Sequence, residues 1–248
     1  MSTTSAPIAD ERIRLDVADG TQMYAYVARP PVRRTDGPGI VVLQEAYGVT
    51  EYLREVAGRF ASELGMLAIA PELYHRTGHG AVANYETDKP SDMNVHRAGL
   101  TVEGMAADFV AAWEWLRHEG VPAKRTSAVG FCMGGRVAYL GNAHAELAAA
   151  ISFYGGRIAP DWAQYASRQH GPVLFFWGGL DPTIPVEQRR AVEDAMSAAD
   201  RVPHAHVLFS DADHGFFCHA RPSVYHPGRA REAWALTVEF LKNSGVLG

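Results

Sequence analysis

Cysteine is scarce in this chain: Cys132 and Cys218 are the only two among 248 residues. So few thiols exclude a disulfide-stapled scaffold and fit a reducing compartment. Basic excess is missing too. The formal net charge is -5 and no basic stripe is visible, so nucleic acid is not an expected partner. No apolar run is long enough to span a membrane, and the opening Met1-Ser2-Thr3-Thr4-Ser5-Ala6-Pro7 has neither the charged n-region nor the apolar core of a secretory signal. These absences point to a cytoplasmic protein with no membrane partner. Repeats and low-complexity stretches are also absent. What is present is a 47% hydrophobic chain, enough to bury a full core, expected as one domain over 1–248 with about 1–9 flexible.

The apolar pattern alternates between strands and helices. Residues 12–17 and 22–28 read as an antiparallel hairpin around Asp19-Gly20. Strands are then expected at 40–43, 67–70, 127–129, 149–153, 173–178 and 206–210. Helices are expected near 51–63, 101–117, 136–140, 186–198 and 229–243, with Phe109, Trp113 and Leu116 on one face of the second. Such alternation predicts a mostly parallel central sheet flanked by helices. The segment 74–99 breaks the rhythm. It is polar, holds three histidines, and follows a strand end, where long loops serve as lids or binding loops. Tyr85 and His96 are its candidates for substrate contact.

The most informative stretch is Gly130-Phe131-Cys132-Met133-Gly134-Gly135. It joins a strand to a helix and reads as G-x-S-x-G with cysteine in place of serine. The glycines suit a turn whose neighbouring backbones leave no room for a Cβ. The turn sets the thiol at a helix N-terminus, where a negative charge is favoured, and the thiolate is the nucleophilic form. Free cysteine is also commonly a small buried hydrophobe, so partners are needed. In the chain order nucleophile, acid, histidine, the partners are Asp181, just past an apolar strand, and His214, in the loop after the last strand. Asp181 alternatively starts a turn before Pro182. His214 is one of 11 histidines, so its position carries the argument. In the catalytic reading Cys132 attacks an acyl carbonyl, His214 relays protons and Asp181 orients the imidazole. The oxyanion then falls to the backbone N–H of Met133 and a second N–H, from Ala46, in the loop after strand 40–43.

These features together resemble the dienelactone hydrolase family. The matching residues are Gln44-Glu45-x-x-Gly48, Pro71-Glu72-Leu73-Tyr74-x-Arg76, Gly130-x-Cys132-x-Gly134-Gly135, Gly178-Gly179-x-Asp181 and His214-Gly215-Phe216, in the family's order. The resemblance implies an α/β-hydrolase fold and cleavage of a lactone or ester through a Cys132 acyl-enzyme, with no cofactor and no metal. It also implies that Glu45 lies close to the thiol and holds it until substrate arrives, in keeping with like-charge repulsion between a carboxylate and a thiolate. Arg76 occupies the position of one arginine that binds the substrate carboxylate. The position of the second, four after the histidine, is Cys218 here. Arg221 lies three residues further on and is the candidate to take its place. That departure keeps a broad carboxylesterase or thioesterase on uncharged substrates in view; a thiol redox or interaction protein is the non-enzymatic alternative. The histidine spacings match no recognised zinc motif. The expected partner is a small ester or lactone, and the assembly a monomer or homodimer.

Overall fold

The computed structural model describes residues 9–248. The stretch 1–9 expected to be flexible lies outside them except for Ala9, which is buried and donates its N–H to the Arg54 carbonyl at 3.2 Å. In chain order the strands are β1 (Glu11–Asp16), β2 (Gln22–Ala28), β3 (Gly39–Leu43), β4 (Leu67–Pro71), β5 (Thr126–Phe131), β6 (Ala149–Phe153), β7 (Val173–Gly178) and β8 (His204–Phe209). The helices are α1 (Glu51–Leu64), α2 (Asn94–Ala98), α3 (Val102–His118), α4 (Met133–Asn142), α5 (Val186–Ala199) and α6 (Pro227–Asn243).

The strands form one sheet in the order β1-β2-β4-β3-β5-β6-β7-β8. β1 and β2 pair antiparallel, β2 runs antiparallel to β4, and every other pairing is parallel. The five strands β3 to β7 are buried at every position, because helices cover both faces of a parallel sheet. The edge strands β1 and β8 instead alternate towards solvent.

Local chemistry fixes the helix ends. The Thr50 hydroxyl accepts from Leu53 N–H and caps α1, and Gly65 ends it with φ +66°. Thr101, expected inside the third helix, is instead its cap and accepts from Gly104 N–H. α6 starts two residues earlier than expected, because Pro227 suits the first helical position and the His226 ring accepts from Arg229 N–H. β8 also starts earlier, at His204, which pairs with Val173. Phe109 and Leu116 are fully buried on α3, while Trp113 is half-buried.

Beneath the C-terminal ends of β5 to β7 lies an aromatic floor. Phe153 stacks on Phe176 at 4.5 Å and meets Phe217 at 4.7 Å and Phe131 at 5.0 Å. Each such side chain contributes about 1.5–3 kcal/mol through burial, so this floor helps to pack the strand ends together. Among the described residues no helix is long and apolar enough to cross a membrane.

Candidate active site

β5 ends at Phe131 and α4 begins at Met133, leaving Cys132 alone between them with φ +53° and ψ -116°. A non-glycine residue in such a region costs about 1–3 kcal/mol and persists only where its surroundings enforce it. They do so here. Cys132 N–H donates to the Phe153 carbonyl and its own carbonyl accepts from Gly135 N–H, both at 3.0 Å. A Cβ on Gly130 would lie 1.9 Å from the Gly134 carbonyl oxygen, and one on Gly134 would lie 2.3 Å from the Leu43 carbonyl oxygen. Both glycines are therefore demanded by close backbone approach. The half-buried thiol is presented at the end of the sheet.

Asp181 follows β7 and His214 follows β8, on adjacent strands. His214 Nδ1 lies 2.7 Å from Asp181 Oδ2. The other carboxylate oxygen accepts from both the N–H and the hydroxyl of Thr183, each at 2.7 Å. With both oxygens engaged and its side chain fully buried, Asp181 has little freedom to rotate. Burial raises its pKa, but the hydrogen bond from His214, that residue's charge and the bonds from Thr183 outweigh this and hold it below the usual carboxylate value. Burial likewise opposes a charged His214. The Cys132 charge and the hydrogen bonds to Asp181 and Cys132 prevail and push it up to about 10. Tyr154 braces the imidazole, ring to ring at 5.0 Å.

The loop after β3 forms the next wall. Gln44 Oε1 accepts from Leu73 N–H at 3.0 Å, and the Ala46 carbonyl accepts from the Tyr74 hydroxyl at 3.0 Å. Gly48, with φ +85°, closes the turn by donating to the Glu45 carbonyl at 3.3 Å. Ala46 and Met133 line one cavity with Cys132 and His214. As the first residue of α4, Met133 has an N–H with no acceptor inside the helix. Glu45 lines this cavity as well and is only 2% exposed. Its Oε2 accepts from the Tyr85 hydroxyl at 2.9 Å, while Oε1 is buried without a partner. Among the described residues no hydrogen bond joins Glu45 to the Cys132 thiol; the carboxylate turns to Tyr85 instead.

The cavity measures about 450 Å³. Arg221 reaches it, with its guanidinium 5.6 Å from the Tyr47 ring centre. Arg76 does not. It donates to both oxygens of Asp108 at 2.8 Å and to Asp19 Oδ2 at 2.6 and 2.8 Å, so the role in substrate binding expected for it has no geometric basis here. The stretch around it is scaffold: Glu72 binds Arg12 and Gly80 N–H, and His75 contacts Asp108 at 3.0 Å. Tyr85 is not in the cavity wall; it reaches Glu45 and the Thr50 hydroxyl behind it. His96 pairs with the Thr77 hydroxyl, and Cys218 is buried in the core. From the segment 74–99 the wall receives Pro90 and Arg97.

Sequence reasoning passed over Arg97, Arg136, Arg157 and Thr183, of which the arginines and Thr183 all line the cavity. Two of these carried a signal. Arg136 is one helical turn beyond Cys132, and Thr183 completes an Asp-Pro-Thr turn. Arg97 reaches the cavity from the short helix α2 and Arg157 from the loop after β6, placements that only the folded chain shows. Among the described residues no three His, Cys, Asp or Glu side chains converge as a metal site requires.

A cysteine on a strained strand-to-helix turn, with a buried Asp–His pair beside it on a doubly covered parallel sheet, defines an α/β-hydrolase. A model of the dienelactone hydrolase family matches residues 23–245. The chain is 35% identical over 239 residues to the "Putative carboxymethylenebutenolidase" of Escherichia coli O157:H7, covering 92% of this chain and 85% of that one. It is 26% identical over 189 residues to the carboxymethylenebutenolidase of Pseudomonas putida, covering 76% and 78%. A crystal structure of a "Putative Dienelactone Hydrolase" from Klebsiella pneumoniae superposes with a TM-score of 0.81 at 30% identity, covering 94% of this chain and 99% of that one. The chain belongs to the dienelactone hydrolase family, which makes it a hydrolase of ester or lactone bonds.

Proposed function

We propose that this protein opens a lactone or small ester through a thioester on Cys132. His214 holds the thiol proton as Sγ bonds to the carbonyl carbon, and the carbonyl electron pair moves onto oxygen. The N–H groups of Met133 and Ala46 receive that oxyanion. When the tetrahedral species collapses, the C–O bond to the alcohol breaks and His214 returns the proton to the leaving oxygen. In a lactone this oxygen stays tethered to the acyl group. Water, deprotonated by His214, then cleaves the thioester and restores the thiol. Asp181 keeps Nδ1–H bonded and so leaves Nε2 for this work.

The observation that carries the reading is the 2.7 Å His214–Asp181 pair facing a cysteine on an enforced turn within one cavity. Arg221 is the arginine we assign to a substrate carboxylate, since Arg76 is engaged elsewhere. Glu45 is assigned the restraint of the thiol, released when substrate enters. A thiol redox role would need neither Asp181 nor His214.

The test compares wild type with Cys132→Ala on a dienelactone and on a neutral aryl acetate, with mass analysis of quenched enzyme. Loss of turnover in the variant and an acyl adduct on Cys132 in the wild type are expected. Turnover by Cys132→Ala would overturn the mechanism. A general esterase on uncharged substrates is the second reading, favoured by the engagement of Arg76 and by the buried Cys218. Turnover of the aryl acetate alone would select it.

A further inference from the structure

Arginine side chains that approach the cavity are more numerous than the carboxylates available to pair with them. Arg97, Arg136, Arg157 and Arg221 line it, against Glu45 and Asp213. Asp213 is occupied with His214 N–H at 2.6 Å, and Glu45 with Tyr85.

Arg136 is the informative member. It projects from the first turn of α4, four residues after the nucleophile. The side chain is half-buried, its Nε has no hydrogen-bond partner, and no carboxylate lies within ion-pair distance among the described residues. The nearest support is the Trp162 ring, whose centre is 5.0 Å from the guanidinium carbon. Burying a guanidinium costs free energy unless its donors are met. Two further cations flank it: burial, then the charges of Arg157 and Arg97, make the Arg136 cation harder to hold. Arg157 itself has φ +62°, in the left-handed region that a non-glycine residue rarely adopts. Among the described residues its only acid partner is the exposed Asp161 at 3.4 Å. A half-buried guanidinium without a carboxylate partner, set among like charges, is matched by an anionic ligand, and its planar fork suits an oxyacid group.

We propose that Arg136, flanked by Arg97 and Arg157, forms a second anion subsite, so that the substrate carries an anionic oxygen group besides the one assigned to Arg221. The proposal rests on the acyl-transfer reading above for the place of the scissile bond. Its chemistry is that of a carboxylate or a phosphate, and the substrate class is a lactone or ester with two anionic groups.

Calorimetric binding tests this without any turnover. The probes are malonate, succinate, glutarate and adipate against their monomethyl esters, with 4-phosphonobutyrate to tell phosphate from carboxylate. In the wild type at least one dianion is expected to bind about tenfold or more tighter than its monoanion, the worth of one charge-assisted contact. Arg136→Gln should reduce that preference to within about threefold, and Arg136→Lys should restore part of it. Equal binding of mono- and dianions by the wild type, or an unchanged preference in Arg136→Gln, would overturn the subsite. If Arg136→Gln does not fold, the double variant Arg97→Gln, Arg157→Gln changes only exposed side chains. It should weaken the dianion by about threefold or more, and unaltered binding would overturn the proposal equally. Aryl acetate turnover and its dependence on Cys132 report separately on the acyl-transfer reading.

Discussion

Arg76→Ala should cost stability rather than substrate recognition. Arg76 spans two acids of very different exposure. Asp108 is fully buried and receives both guanidinium nitrogens at 2.8 Å, whereas the Asp19 side chain is 37% exposed. Removing the guanidinium leaves Asp108 buried with His75 as its remaining side-chain partner, at 3.0 Å. Breaking a buried pair by deleting one member costs about 3–5 kcal/mol, and an exposed pair contributes about 0–1 kcal/mol. Arg76 is itself 21% exposed, so water relieves part of the penalty and roughly 3 kcal/mol is the working figure. For a chain of this length that lowers Tm by about 6–12 °C. Calorimetric melting measures the shift, and Asp108→Asn beside it separates the charge from the hydrogen bonds. At 25 °C the ratio of kcat/KM for an anionic over a neutral ester should stay within about twofold of wild type. The reasoning is refuted if Tm is unchanged while KM for the anionic ester alone rises about tenfold, because Arg76 would then leave Asp108 for substrate.

The other expectations concern the turn and the triad. Asp181→Asn should fold but lose on the order of 10³–10⁴ in kcat through the wrong imidazole tautomer; a loss under tenfold in steady-state assays would contradict the assigned role. Because His214 is raised from 6.5 to about 10, its charged form stabilises the folded state fully below about 6.5, and that contribution is lost as pH climbs towards 10. The Tm advantage of wild type over His214→Gln should therefore be largest near pH 6 and shrink by pH 10, and a flat difference across scans would argue against the ion pair. Gly134→Ala puts a Cβ 2.3 Å from the Leu43 carbonyl, so β3 and the turn must separate. Chemical denaturation should register a loss of about 1–3 kcal/mol or more, with kcat falling further than Tm implies.

The parallel strands and the turn were legible because backbone sterics and burial write themselves into composition. Continuous apolar runs bounded by glycine, as in residues 173–179, have few other ways to fold. The placement of Cys132, Asp181 and His214 was legible for the same reason, since each falls in the turn or loop that follows a strand. Arg76 was not. Its match to Tyr-x-Arg says nothing of Asp19 and Asp108, 57 and 32 residues away, which capture it only once β1, β2 and α3 have assembled. Arg136 escaped for the opposite reason, since an arginine on a helix ordinarily reads as solvated, and only the folded cavity shows that among the described residues no carboxylate pairs with it. Helix ends moved where a cap decided them, as at Thr101 and Pro227.

Glu45 joins these two lessons. The family resemblance implied proximity to the thiol, and the fold does bring both to one cavity, yet the carboxylate is bonded to Tyr85. A buried carboxylate with one oxygen unpartnered is costly unless positive charge lies near. Arg221 supplies it: burial opposes that guanidinium's charge, and Glu45 is the foremost of the groups that favour it. On the proposed reading, a substrate carboxylate seated on Arg221 competes with Glu45 for the same cation. Glu45 then loses its electrostatic support while keeping a single neutral hydrogen bond, and so becomes the most easily displaced group in the wall. On that same proposed reading the polar segment 74–99, through Tyr85, would set how firmly Glu45 is held before substrate arrives, and Arg221 when it is let go.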